Sequence, residues 1–95
     1  MDMNAVITSV RFLNSYSVCI YSFSANPDLY NEIVKHVARI TEYATERFHA
    51  VPNLSFEEDQ LEEVKKEAKC LVWTAIQFKS EYDLGLFIEE LDKFF

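Results

Sequence analysis

Glycine occurs once in these 95 residues, at Gly85, and that scarcity removes whole classes of chemistry. Loops that cradle phosphate need several glycines so that backbone N–H groups can approach the anion. Walker-type and dinucleotide-binding loops are therefore excluded. There is also no Gly-x-Ser-x-Gly elbow, no His-Glu-x-x-His pair and no Cys-x-x-Cys pair. Cysteine is limited to Cys19 and Cys70, each alone inside an apolar run. They do not make the dense framework that staples small secreted domains, nor do they show the short ligand spacing of structural zinc sites. Both are expected to be buried fillers, without the exposure and lowered pKa that a nucleophilic thiol needs. No apolar run approaches the ~18 residues of a membrane span. The start of the chain lacks a basic stretch followed by an apolar segment and a small-residue cleavage site. The expectation is a soluble protein of a reducing, cytoplasmic compartment, with no metal and no cofactor.

Positive charge is the other shortage. The chain carries nine basic residues against sixteen acidic ones, a net charge of −7. Its first fifty residues hold five acids and four bases, whereas residues 51–95 hold eleven acids and only five lysines. Nucleic-acid phosphate repels such a surface, so direct nucleic-acid binding is not expected. Asymmetry of this kind bears on partners and association rate, not on fold.

What is present is grease. Apolar residues make up 49% of the chain and aromatics 15%, eight of them phenylalanine. One domain of this size buries only about 60–65% of the surface its unfolded chain exposes, so a rich core matters. So much apolar surface on a short chain also points to burial between subunits, hence a homodimer.

Six elements can be placed. Residues 6–13 and 16–23 are β-branched and aromatic with polar residues alternating, and Asn14-Ser15 separates them as a two-residue hairpin turn. The alternation predicts one packed and one wetter face. Asn26 before Pro27 is an N-cap followed by the one proline position a helix welcomes. Tyr30, Ile33, Val34, Val37, Ile40, Ala44 and Phe48 then mark one face of a long helix that Pro52 must end. Ser55 with Glu58 reads as a capping box opening a helix from Phe56 to about Lys69, with a thin stripe of Leu61, Val64 and Ala68. Residues 70–78 read as a central strand buried on most of both faces. Ser80 with Asp83 caps a last helix whose stripe is Leu84, Phe87, Ile88, Leu91 and Phe95. The order ββααβα predicts a single α+β domain over residues 1–95: a small, mainly antiparallel sheet with helices packed on one face. Gly85, inside the last helix, is expected to allow close packing of helix on sheet.

Within this scaffold the informative stretch is Glu57 to Glu63, where Glu57, Glu58, Asp59, Glu62 and Glu63 are acidic and nothing is basic. A helix N-terminus favours carboxylates by about 0.3–1 kcal/mol each, and Glu62 with Lys66 is a favourable i,i+4 pair, so a solvated helix face is one account. The other is a contact surface for a cationic protein. Six acids from Glu57 to Glu67 would span about 16 Å of helix, a length over which duplex DNA presents roughly nine charges, so the imitation of DNA is partial. His36, one turn after Glu32, and His49, at the end of the long helix, fit a surface pair and a helix terminus rather than catalysis. Off the main stripes, Tyr82 and Leu86 lie one turn apart, and Phe94 and Phe95 are large side chains that a monomer has trouble covering. Aromatics beside acids make a contact patch, so Tyr82, Glu89 and Glu90 form a second tier of partner-binding residues.

In size, acidity, glycine poverty and element order, though in no motif, the chain resembles the small inhibitors that phages and plasmids use against bacterial nucleases and surveillance complexes. The resemblance implies a non-enzymatic interaction protein whose acidic second half meets a basic, nucleic-acid-handling partner. The alternative is a small ligand-binding or regulatory domain with a pocket between sheet and helices lined by Tyr21, Trp73 and Tyr30.

Overall fold

All eight residues of the second strand are buried, and the architecture follows from covering that strand on both sides. The computed structural model describes residues 4–94. Strand β1 (Ile7–Phe12) pairs with β2 (Ser17–Ser24), β2 pairs with β4 (Cys70–Gln77), and a two-residue β3 (Val51–Pro52) adds to the far side of β4. Every pairing is antiparallel, in the order β1-β2-β4-β3. Three helices complete the chain: α1 (Tyr30–Phe48), the single-turn α2 (Glu62–Lys65) and α3 (Glu81–Glu90). The expected α+β class and mainly antiparallel sheet are thus present, and β3 is the one element added to the expected order.

Side chains alternate across β2, so its even and odd positions face different partners. Val18 and Ile20, with Ile76 from β4, pack beneath Ile40, Ala44 and Phe48 of α1 and Leu84, Phe87 and Leu91 of α3. Phe48, Phe78 and Phe87 form the ring cluster at its centre, with Phe78 and Phe87 centroids 5.0 Å apart. The two long helices therefore share one face, as their apolar stripes require. The other face is not wet. Cys19, Tyr21 and Phe23 with Ala75 lie under Phe56, Leu61 and Val64, so the segment between β3 and β4 crosses the sheet on the side away from α1. The alternation of β2 misleads because its polar members are serines that are fully buried at 17, 22 and 24. Ser22 Oγ lies 2.6 Å from Thr8 Oγ1, and Ser24 Oγ accepts the Asn26 N–H at 3.0 Å. A serine that meets a partner can sit where a charged residue could not.

Helix ends follow local chemistry closely. Asn26 accepts the Asp28 N–H at 3.0 Å and opens a 3-10 turn, Pro27–Leu29, that runs into α1. Ser80 accepts the Asp83 N–H at 3.1 Å and opens α3. The α3 stripe is buried at Leu84, Phe87 and Leu91; Phe95 lies outside the described residues. Phe94 is partly covered, its ring edge-on to Tyr43 at 5.0 Å, which corrects the view that it needs a partner. The hairpin is wider than expected. Leu13 donates to Ser17 O at 2.9 Å, leaving Asn14, Ser15 and Tyr16 in the loop, and Asn14 Oδ1 accepts the Tyr16 N–H at 2.8 Å. A two-residue I′ turn needs left-handed backbone at both central positions, which Asn-Ser resists without glycine.

Glycine and left-handed backbone are mismatched here. His49 ends α1 at φ 58° and ψ 31°, the only positive-φ residue among those described, while its neighbour Ala50 donates back to Ala44 O at 3.3 Å. Gly85 sits mid-helix, exposed, and a Cβ there would meet nothing within 4 Å. Close packing is therefore not what Gly85 provides. Each position holds the less favourable residue, so His49→Gly and Gly85→Ala should each raise unfolding stability by about 0.5–1 kcal/mol, measured by urea titration.

Candidate functional site

The acidic segment is held by its apolar residues, not by its own helicity. Instead of one helix from Phe56 to Lys69, the chain makes a 3-10 turn at Glu58–Leu61 and a single turn of α-helix at Glu62–Lys65. The expected capping box does not form. Ser55 turns to Asn53, donating through both its backbone N–H at 3.0 Å and its hydroxyl at 2.6 Å. Neither short helix has a side-chain cap. Three anchors set the path instead: Phe56, Leu61 and Val64 are buried against Cys19, Tyr21, Phe23 and Ala75. The Phe56 ring meets Trp73 edge-on at 5.0 Å. Arg11 on β1 adds a fourth tie by donating to the Gln60 carbonyl. Leu61 and Val64, three residues apart, would share a face in any helix; Phe56, five residues before Leu61, would not, and the bend at the 3-10 turn Glu58–Leu61 lets all three reach the sheet.

With those anchors pointing inward, the carboxylates point out. Glu57, Glu58, Asp59, Glu62 and Glu63 are all exposed. Lys65 Nζ lies 3.7 Å from Glu58 Oε2 and 3.9 Å from Glu62 Oε1, so one lysine is shared between two acids. No ion pair is seen for Glu57, Asp59 or Glu63 among the described residues. Exposed pairs at such distances are worth about 0–1 kcal/mol and loosen further with salt. The segment is therefore a partly neutralised acidic ridge with three uncompensated carboxylates. A shallow recess of about 350 Å³ runs beside it, lined by Ile7, Ser9, Arg11, Tyr21, Glu63 and Glu67 among others.

The second tier lies elsewhere. Tyr82 and Glu89 are exposed on α3, which packs on the face of the sheet opposite the ridge. Glu90 is engaged: its carboxylate accepts the Tyr43 hydroxyl and lies 3.9 Å from Arg47 Nε, tying α3 to α1. That hydrogen bond raises the pKa of the Tyr43 phenol, with partial burial adding to it. Tyr82, Glu89 and Glu90 therefore do not join Glu57–Glu63 in one patch. The alternative pocket is also not assembled, because Tyr21 and Trp73 face away from α1 while Tyr30 sits, 52% exposed, at its start.

Among the described residues no group of three or more His, Cys, Asp or Glu side chains could hold a metal ion. No helix there is long and apolar enough to cross a membrane. Both cysteines are free thiols. Cys19 is fully buried, and burial pushes its pKa up from 9.0 to about 12, with the Arg11 charge opposing weakly. Cys70 is partly buried and its Sγ sits 3.5 Å from Asn26 O. Because the folded state holds Cys19 protonated, its contribution to stability is complete below pH 9.0 and declines as pH rises toward about 12. At pH 8 an aromatic disulfide reagent should titrate Cys70 in the native protein and reach Cys19 only after denaturant is added.

Compared with known proteins, the chain matches no family model, no curated protein and no solved structure.

Proposed function

We propose that the protein is a non-enzymatic interaction module that offers its acidic ridge to a cationic surface on a nucleic-acid-handling protein, acting there as an inhibitor or regulator. One observation carries the reading: Glu57, Asp59 and Glu63 are exposed and uncompensated on a segment pinned at Phe56, Leu61 and Val64. Pinning matters because charges on a rigid support lose little conformational freedom when they are matched, whereas charges on a loose tail must be ordered first. Complementary charge of this kind speeds encounter and selects partners more than it adds raw affinity. Sharing Lys65 between Glu58 and Glu62 lowers the net charge of the ridge. That favours a protein surface of matched, interspersed charge over full imitation of a phosphate backbone.

A partner captured from bacterial lysate on the immobilised protein supplies the test. Its affinity should fall steeply between about 50 and 500 mM salt, over which the screening length drops from roughly 14 Å to roughly 4 Å. The combined change Glu57→Gln, Asp59→Asn and Glu63→Gln should weaken binding at least about tenfold, and more than Glu58→Gln with Glu62→Gln, because only the first set removes uncompensated charge. Affinity indifferent to both salt and the first set would rule the ridge out as the contact surface.

A further inference from the structure

Strand β4 is bordered on one side by β2 along its whole length, and on the other only by the two residues of β3. The direction of its backbone groups can be worked out from two bonds. Phe78 donates to Tyr16 O at 2.7 Å in register with the β2–β4 ladder. Alternation along an antiparallel ladder then turns the even-numbered residues of β4 toward β2 and the odd-numbered ones toward the far edge. Asn53 donating to Ala75 O at 2.8 Å, on that far edge, agrees. Leu71 and Trp73 are left with N–H and C=O groups facing outward, and no strand among the described residues reaches them. This window, Cys70 to Thr74, is uncharged and contains no proline. Edge strands are ordinarily blunted by lysine, proline or a bulge. The opposite edge of the sheet, β1, carries Arg11.

Next to the open window lies an apolar groove of about 450 Å³ between β4 and the flank of α1, lined by Val34, Val37, Ala38, Thr41, Val72 and Thr74 among others. Val34 and Ala38 are exposed there although they sit at apolar helix positions. Lys35 and Glu42 border this stripe, two helical turns apart, with Ala38 between them.

We propose that this edge and groove form a homodimer interface, in which β4 pairs antiparallel with β4 of a second copy about a two-fold axis at Val72. Three features fit that occupant. First, the two outward-facing residues lie symmetrically about Val72, so Leu71 of each copy meets Trp73 of the other in two reciprocal hydrogen-bonded pairs, and β3 prevents the pairing from sliding further. Second, the spacing is right for the helices. α1 packs over both β2 and β4, so its axis lies about half a strand spacing inside β4. With strands ~4.8 Å apart, the two α1 axes come to about 10 Å, the distance at which helices pack. Third, the charges are self-complementary, since antiparallel α1 helices crossing near Ala38 bring Lys35 of each copy to Glu42 of the other. The result is one continuous sheet with both α1 helices on the same face.

Sedimentation equilibrium of the full chain should show a dimer, and Ala38→Arg, which alters an exposed residue and should keep the helical circular dichroism, should weaken it at least about tenfold, or ~1.4 kcal/mol. In the Cys70→Ser background, Val72→Cys should form a disulfide-linked dimer under mild oxidation, because paired residues on the axis have Cα atoms roughly 4.5 Å apart. A monomer at about 0.1 mM, where a micromolar dimer would be saturated, would overturn the proposal. So would a dimer that Ala38→Arg leaves intact and that Val72→Cys does not cross-link. Neither variant touches the acidic ridge, so this outcome is independent of the reading of that surface.

Discussion

A strand that is buried on both faces must be roofed twice, and in a chain of 95 residues that demand determines almost everything else. β2 is such a strand. Its even side takes the two long helices, whose stripes of Ile40, Ala44, Phe48, Leu84, Phe87 and Leu91 pack there into one cluster. What remains for its odd side is a short, heavily charged connection with three large apolar residues. Phe56, Leu61 and Val64 do that work, and the acidic character of the same segment is its outward half. Burial of each such side chain is worth about 1.5–3 kcal/mol, enough to overrule the weak helical preference of the segment.

The separation of faces also divides the acids into two kinds. Glu90 belongs to the helical side, where it accepts the Tyr43 hydroxyl and neighbours Arg47, so its charge contributes to joining α1 with α3. The ridge carboxylates have no comparable structural duty apart from the pair that shares Lys65. Charge that is not needed for folding is the charge most available for recognition.

Much of this was readable in advance where the cause is local. Asn26-Pro27 and Ser80 mark helix starts because caps are satisfied within three residues. The long apolar period of α1 and the apolar run over residues 70–78 identify a helix and a strand. That strand, however, is fully buried only at Ala75 and Ile76, because two-residue β3 leaves most of its outer edge without a neighbour. The missed features have distant causes. β3 exists only because Val51 and Pro52 meet Gln77 and Ile76, and Pro52 read simply as a stop signal. The broken path of residues 58–65 is set by the underside of the sheet, which no local periodicity reports. The alternation along residues 16–23 reads as one wetter face, although Ser22 and Ser24 are buried with partners inside. Among the candidate site residues, the acidic cluster was visible as composition, but its division from Tyr82, Glu89 and Glu90 depended on which side of the sheet each element takes.

Trp73, the sole tryptophan, lies beneath the ridge with its ring edge-on to Phe56. Any event that lifts or stiffens that cover changes the polarity and mobility around the indole. The molecule thus carries its own optical gauge: indole emission, excited at wavelengths that spare tyrosine, can follow occupancy of the charged roof without a label.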